Sequence, residues 1–251
     1  MSPLLQVNDL SVKLAGREVV NHASFEVRPG EIVGLVGPNG AGKTSLLRAA
    51  LALQKATGEV LLGDQTLTTL SSAERATRAA YLPQDRRVAW GIAAWRAAAL
   101  GAPYLPEPQA RERALTALVE VGAGDLAERS LYELSGGEQA RVLLARLFVT
   151  EAPLLILDEP VASLDPAAQL AILGCLRRRA DTGAGVLVTL HDLNLALTSC
   201  DRVLVMDRGG IVADAPPREA LTPEHLRAVF GLAAALVEGP YGAVLSMEPA
   251  R

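Results

Sequence analysis

The chain has 251 residues, half of them hydrophobic, enough for one large domain with its own core. Its net charge of −4 gives no electrostatic case for nucleic-acid binding. The two cysteines, Cys175 and Cys200, lack metal-ligand spacing and suit small packed positions in a reducing compartment.

The first residues show no basic region followed by an apolar core, so no secretory signal is expected. No uncharged apolar run reaches the roughly 18 residues of a membrane helix. The expectation is a soluble protein, cytoplasmic or held at a membrane by a partner.

Residues 4–14 and 18–28 alternate apolar and polar side chains, predicting antiparallel strands around a turn at Ala15-Gly16. Residues 31–36 form a short apolar strand that runs directly into a glycine-rich loop. A helix is predicted over 43–53 and a strand over 58–62. From 86 to about 150 Ala, Leu, Arg and Glu dominate with helical periodicity, interrupted by Pro103, Pro106 and Pro108. Residues 86–151 are therefore expected to be a helical subdomain inserted into an α/β core. Apolar strands return at 154–157 and 185–190, each followed by a helix-like segment. Residues 203–206 and 210–213 predict a hairpin around Asp207-Arg208-Gly209, and Thr222-Pro223 starts a helix with proline at its first position. Arg177-Arg178-Arg179 is expected on a solvated helix face.

Three motifs carry chemistry. Gly37-Pro38-Asn39-Gly40-Ala41-Gly42-Lys43-Thr44 fits the phosphate-loop pattern G-x-x-x-x-G-K-[ST]. Its glycines let backbone N–H groups curl around phosphate oxygens, and the helix opening at Lys43 adds its positive N-terminal end. Lys43 can reach the β- and γ-phosphates, and the Thr44 hydroxyl can ligate Mg²⁺. Leu154-Leu155-Ile156-Leu157 ends in Asp158-Glu159-Pro160, which sets two carboxylates at the carboxyl end of a buried strand. Asp158 is placed to hold Mg²⁺, and Glu159 to orient or deprotonate an attacking water. Leu134-Ser135-Gly136-Gly137-Glu138-Gln139 precedes a helix that Ser135 can cap. Two glycines exceed what a cap needs, so this is a second anion cradle, suited to closing over the γ-phosphate from the opposite side.

Together these motifs resemble the ATP-binding subunit of ATP-binding cassette (ABC) transporters, over essentially the whole chain, with residues 134–139 matching the family signature. The resemblance implies one ABC ATPase domain over 1–251: a phosphate-loop core, mostly parallel sheet plus an antiparallel β subdomain, with the helical subdomain inserted. It implies a head-to-tail pair of copies. ATP on the phosphate loop of one copy, Ser45 included, would be capped by Ser135, Gly136, Gly137 and Glu138 of the other. Gln84 matches the glutamine that contacts Mg²⁺ and the attacking water, and Ser163-Leu164-Asp165 the loop that couples the two sites. His191 matches the histidine on the γ-phosphate. The implied catalytic set is Glu159, His191, Gln84 and Lys43; the implied metal set is Thr44, Gln84 and Asp158.

The family usually stacks an aromatic on adenine where this chain has Leu14, so apolar contact is expected there instead. The implied partners are a second copy, polytopic permease subunits and an upstream substrate-binding protein, with no nucleic acid. The chain would sit peripherally on the cytoplasmic face of the inner membrane. Trp90 and Trp95 suit either a permease-docking surface or a core. Tyr81-Leu82-Pro83-Gln84, Ala89-Trp90, residues 191–196 and residues 221–231 resemble importers of iron chelates: siderophores, haem and cobalamin. Zinc or manganese importers are the nearest alternative. ABC ATPases acting on DNA or ribosomes are a further one, disfavoured by a single acidic cassette without heptads or metal-spaced cysteines.

Overall fold

The computed structural model describes residues 2–85, 91–240 and 242–250. The start of the expected helical stretch, with Ala89 and Trp90, lies outside the described residues. β1 (Leu5–Leu14) and β2 (Arg17–Val27) pair antiparallel from Leu5↔Val27 to Leu14↔Arg17. Ala15 and Gly16 turn the chain with φ of 47° and 80°, the primed turn that suits a two-residue hairpin. β3 (Ile32–Val36) leads into α1 (Lys43–Ala50). That helix stops short of the expected residue 53, and Ala52 beyond it is left-handed at φ 53°. β4 (Thr57–Leu62) and β5 (Gln65–Thr66) complete a four-stranded antiparallel sheet, ordered β2-β1-β4-β5.

α2 (Ser72–Arg78) feeds β6 (Ala79–Leu82), a strand the sequence pattern did not suggest. α3 (Ala94–Ala99), α4 (Glu107–Glu120) and α5 (Gly136–Val149) then pack on one another. Ala94, Ala98, Ala114, Ala117 and Ala145 let these helices approach closely and are buried with Leu118 and Phe148. β7 (Leu154–Leu157), α6 (Pro166–Asp181), β8 (Gly185–Thr189), α7 (Leu193–Ser199), β9 (Arg202–Asp207) and β10 (Gly210–Ala215) follow. The second sheet runs β10-β9-β3-β8-β7-β6, with β10 antiparallel at one edge and the other five strands parallel.

Every residue of β3, β7 and β8 is buried, which explains their unbroken apolar runs: both faces of this sheet are covered. Val33, Leu35, Leu154, Ile156 and Leu187 face a core shared with α1 and the antiparallel sheet. Ile32, Val36, Leu155, Leu157 and Val186 face a second core that continues without a break into α3–α6. The chain closes with α8 (Pro217–Ala220), α9 (Pro223–Phe230) and the hairpin of β11 (Leu232–Gly239) and β12 (Gly242–Pro249), also unexpected. Asn194 of α7 holds that hairpin: its amide donates to Leu245 O at 3.3 Å and its Oδ1 accepts from Leu245 N at 2.6 Å.

One open alternative is decided and one expectation is corrected. Trp95 is only 7% exposed and sits between the guanidinium groups of Arg96 and Arg111, so it belongs to the core. The arginine triplet is a solvated face only in part: Arg178 is exposed, but Arg177 and Arg179 are half-buried and paired. Arg177 binds Asp181, Asp201 and Gly30 O. Arg178 donates to Glu120 O, and Arg179 pairs with the Glu120 carboxylate at 2.6 Å while lying 4.4 Å over the Phe148 ring. Arg178 and Arg179 fasten α6 to α4, and Arg179 also to α5, while Arg177 ties α6 to the loops at Gly30 and Asp201. Both cysteines are free and buried, as expected.

Candidate active site

The loop between β3 and α1 follows the chemistry of its glycines. Gly40 and Gly42 are left-handed, with φ of 82° and 106°. A Cβ on Gly37 would lie 2.2 Å from Met206 O, and one on Gly42 2.2 Å from Val19 O. Those two glycines are therefore required by this chain's own packing, before any phosphate is considered. A Cβ on Gly40 would meet nothing within 4 Å.

Lys43 opens α1 and is 6% exposed. Its Nζ donates to Gly37 O at 2.7 Å and Pro38 O at 3.1 Å, folding the side chain back along the loop. Burial lowers its pKa below the ordinary 10.5, opposed by the negative charges of Glu159 and Asp158. Thr44 and Ser45 follow in the first turn, both half-buried.

The parallel sheet brings three strand ends to this loop's edge: Val36 of β3, Leu157 of β7 and Thr189 of β8. Asp158 is fully buried. Its Oδ1 accepts from the Thr189 hydroxyl at 2.8 Å, and its Oδ2 is buried with no hydrogen-bond partner. Glu159 is left-handed at φ 52°, and its N–H donates to the same Thr189 hydroxyl at 2.6 Å. One Glu159 carboxylate oxygen accepts the Gln84 amide at 2.8 Å; the other lies 2.5 Å from His191 Nε2. Tyr81 of β6 stands nearby, its phenol pKa pushed up to about 12 by burial and then by the Asp158 charge. The structure thus joins Gln84, Asp158, Glu159 and His191 into one cluster that bears electrostatically on Lys43. Thr189, at its centre, was not singled out from the sequence.

The remaining candidates lie apart from this cluster. Ser135 and Glu138 form a reciprocal cap on α5: Ser135 N donates to Glu138 Oε2 at 2.7 Å, and Glu138 N to Ser135 Oγ at 3.4 Å. These bonds hold the Glu138 pKa below its usual value. Among the described residues, no hydrogen bond of Ser135 or Glu138 reaches the phosphate loop. A Cβ on Gly136 would meet nothing within 4 Å. Asp165 caps α6, accepting from Ala168 N at 2.9 Å, two residues after left-handed Ser163 at φ 62°. Leu14 lies at the β1–β2 turn and is 45% exposed.

Comparison with known proteins fits this geometry. The ABC transporter family model matches residues 20–162. The chain is 43% identical to the hemin import ATP-binding protein HmuV of Pseudomonas aeruginosa over 239 residues, 91% of this chain and 93% of that protein. It is 40% identical to its Bordetella pertussis counterpart over 250 residues, covering 94% and 95% of the two chains. Among solved structures, the ATP-binding subunit of an ABC transporter superposes with a TM-score of 0.75 at 28% identity, covering 92% and 95% of the two chains. The fold also matches that of a metal-chelate type ABC transporter in an inward-facing conformation, with a TM-score of 0.85 at 22% identity over 99% and 98% of the chains. A phosphate loop whose lysine faces two strand-end carboxylates, on a chain matched along nine-tenths of its length, places this protein in the family of ABC transporter ATP-binding subunits.

Proposed function

We propose that the chain binds and hydrolyses ATP as one of two copies that power a membrane importer, and that the cargo is haem. The observation that carries the ATPase reading is the grip on Glu159, whose two oxygens meet Gln84 and His191 beside buried Lys43. In this reading Lys43 and the amides of residues 37–45 hold the triphosphate. Glu159 takes the proton of the attacking water, while Gln84 and His191 fix its direction.

The residues fit a magnesium ion. Asp158 Oδ2 is a buried acceptor with no partner, and Thr44, in the first turn of α1, supplies a hydroxyl from the phosphate loop. Among the described residues no cluster of three or more His, Cys, Asp or Glu side chains could cage a metal. That agrees with an ion held by one carboxylate, a hydroxyl, Gln84 and the substrate phosphates. When bound, the ion would neutralise charge on the phosphate oxygens.

The open space before Gly136 supports closure by a second copy, because among the described residues none would meet a Cβ there. The signature on one copy would then cap ATP on the other. Residues 86–151 would carry the signature as the inserted helical subdomain, within one domain over 1–251. Asp165, at the start of α6, would relay between the two sites.

Beside Gln84 an apolar groove of about 360 Å³ runs between β6 and helices α3 and α5, lined by Tyr81, Pro83, Leu100, Tyr104 and Leu147. Leu100 and Tyr104 are 39% and 65% exposed. This groove suits an apolar segment of the permease. Among the described residues no helix is long and apolar enough to cross a membrane, which accords with peripheral attachment to the inner membrane through the permease. A substrate-binding protein would deliver the cargo on the far side.

Haem is chosen because the relatives at 40–43% identity are named as hemin import proteins. Proteoliposomes holding the chain with its permease should accumulate haem when ATP is supplied. Accumulation of zinc or manganese but not haem would overturn the cargo, and absence of ATP turnover with permease present would overturn the ATPase reading.

A further inference from the structure

We propose that Thr189 is a positioning residue that sets both carboxylates of the site through one hydroxyl; the proposal rests on the ATPase reading above. β8 reads Gly185-Val186-Leu187-Val188-Thr189, and Thr189 is its one residue with a hydrogen-bonding side chain. It is fully buried. A valine would fill nearly the same volume, so what the threonine adds is the hydroxyl. A hydroxyl has one proton to give and lone pairs to receive. Here the proton goes to Asp158 Oδ1 at 2.8 Å, and a lone pair receives the N–H of Glu159 at 2.6 Å.

Each bond has a separate consequence. The bond to Oδ1 fixes the carboxylate and leaves Oδ2, buried and unpartnered, as the oxygen available to a cation. The bond from Glu159 N–H holds that residue left-handed at φ 52°, a conformation glutamate seldom adopts unaided. From that backbone the Glu159 side chain meets both Gln84 and His191. Thr189 also lies two residues before His191 on the same run of chain, so one buried group ties the cation ligand, the water-handling carboxylate and the histidine.

The test uses the full-length purified chain with Thr189→Val and Thr189→Ser, and Mn²⁺ as the spectroscopic probe. ATP affinity without divalent cation should be the same in all three proteins. In T189V the affinity for Mn²⁺ in the presence of a non-hydrolysable ATP analogue should fall about 10-fold or more, the usual cost of losing a group that orients a metal ligand. The half-saturating Mg²⁺ for turnover should rise in step and kcat should drop. T189S, which keeps the hydroxyl, should restore all three to within about threefold of the parent, well short of that second-shell loss.

Unchanged Mn²⁺ affinity and kcat in T189V would overturn the proposal. So would a T189S protein as impaired as T189V, because the methyl group rather than the hydroxyl would then matter. If T189V does not fold, Thr189→Ala takes its place: T189S close to the parent with T189A impaired supports the proposal, and equal behaviour of the two overturns it. Failure of the ATPase reading looks different, since the parent chain itself would then show no ATP turnover.

Discussion

His191 Nε2 lies 2.5 Å from one carboxylate oxygen of Glu159, and it arrives there from a different strand. The other oxygen accepts the Gln84 amide, so the carboxylate is held from both sides before any nucleotide is present. An ionised carboxylate offers about four acceptor positions. Gln84 and His191 take one position on each oxygen, so the grip fixes the direction in which the carboxylate presents itself.

Replacing Glu159 with Gln tests that role. The amide keeps size and shape but cannot take the proton. ATP affinity should stay near that of the parent while turnover falls by about 10²–10⁴-fold, the usual weight of a general base. A lasting ATP-bound dimer should appear on size-exclusion chromatography. Turnover within tenfold of the parent would remove Glu159 from the base role.

How far this site was legible depended on which physical constraint each residue answers to. The run Leu154-Leu155-Ile156-Leu157 announced a doubly covered strand because burial on both faces removes alternation. β6 was hidden because Ala79-Ala80-Tyr81-Leu82 lacks a β-branched residue; it is a strand only because β7 offers it an edge. The hairpin after Gly231 was hidden by the alanines 233–235, which favour no strand, and is held by the Asn194 bonds to Leu245. Thr189 gave no signal, since threonine favours strands anyway and its two partners are 30 and 31 residues away. The arginine triplet misled because charge runs are usually solvated, whereas here Glu120 of α4 and Phe148 of α5 engage Arg179, and Asp201 and Gly30 engage Arg177.

Lys43 predicts a pH effect whose sign is fixed by its environment. Burial lowers its pKa in the free protein, so it loses its proton at a lower pH than an ordinary lysine. A bound triphosphate adds negative charge and raises that pKa again. In the alkaline interval between the two values, ATP binding must take up a proton, and affinity must fall as pH rises. Calorimetry in buffers of different ionisation enthalpy should record this uptake, and Lys43→Met should abolish both the uptake and most of the binding. Binding without proton exchange across the alkaline range would contradict the lowered pKa.

Arg179 predicts a stability effect far from the nucleotide. Arg179→Ala leaves the Glu120 carboxylate, 30% exposed, without its partner and removes a cation from over Phe148. The combined loss should be about 1–3 kcal/mol, seen as a fall of several degrees in Tm. Arg208 is the control: its side chain is 92% exposed, so Arg208→Ala should stay within about 0.5 kcal/mol of the parent. Equal effects at the two sites would deny that Arg179 fastens α6 to α4 and α5.

The phosphate loop's glycines should separate into those the fold needs and one the ligand needs. A Cβ at Gly42 would lie 2.2 Å from Val19 O, at φ 106°, so Gly42→Ala must push β2 away or break the turn into α1. Strain and overlap together should cost about 3 kcal/mol or more, and the protein should fail thermally before any nucleotide assay. Gly40 is also left-handed, at φ 82°, but the space around its Cβ is empty. Gly40→Ala should therefore cost only about 1–2 kcal/mol of backbone strain and remain folded. Its methyl group would project from the loop that the amides must wrap around the triphosphate, so ATP affinity should fall while Tm barely moves. A Gly40→Ala protein that keeps full ATP affinity would mean the triphosphate does not approach the loop at residue 40. The cradle would then be formed by the amides of residues 41–45 alone.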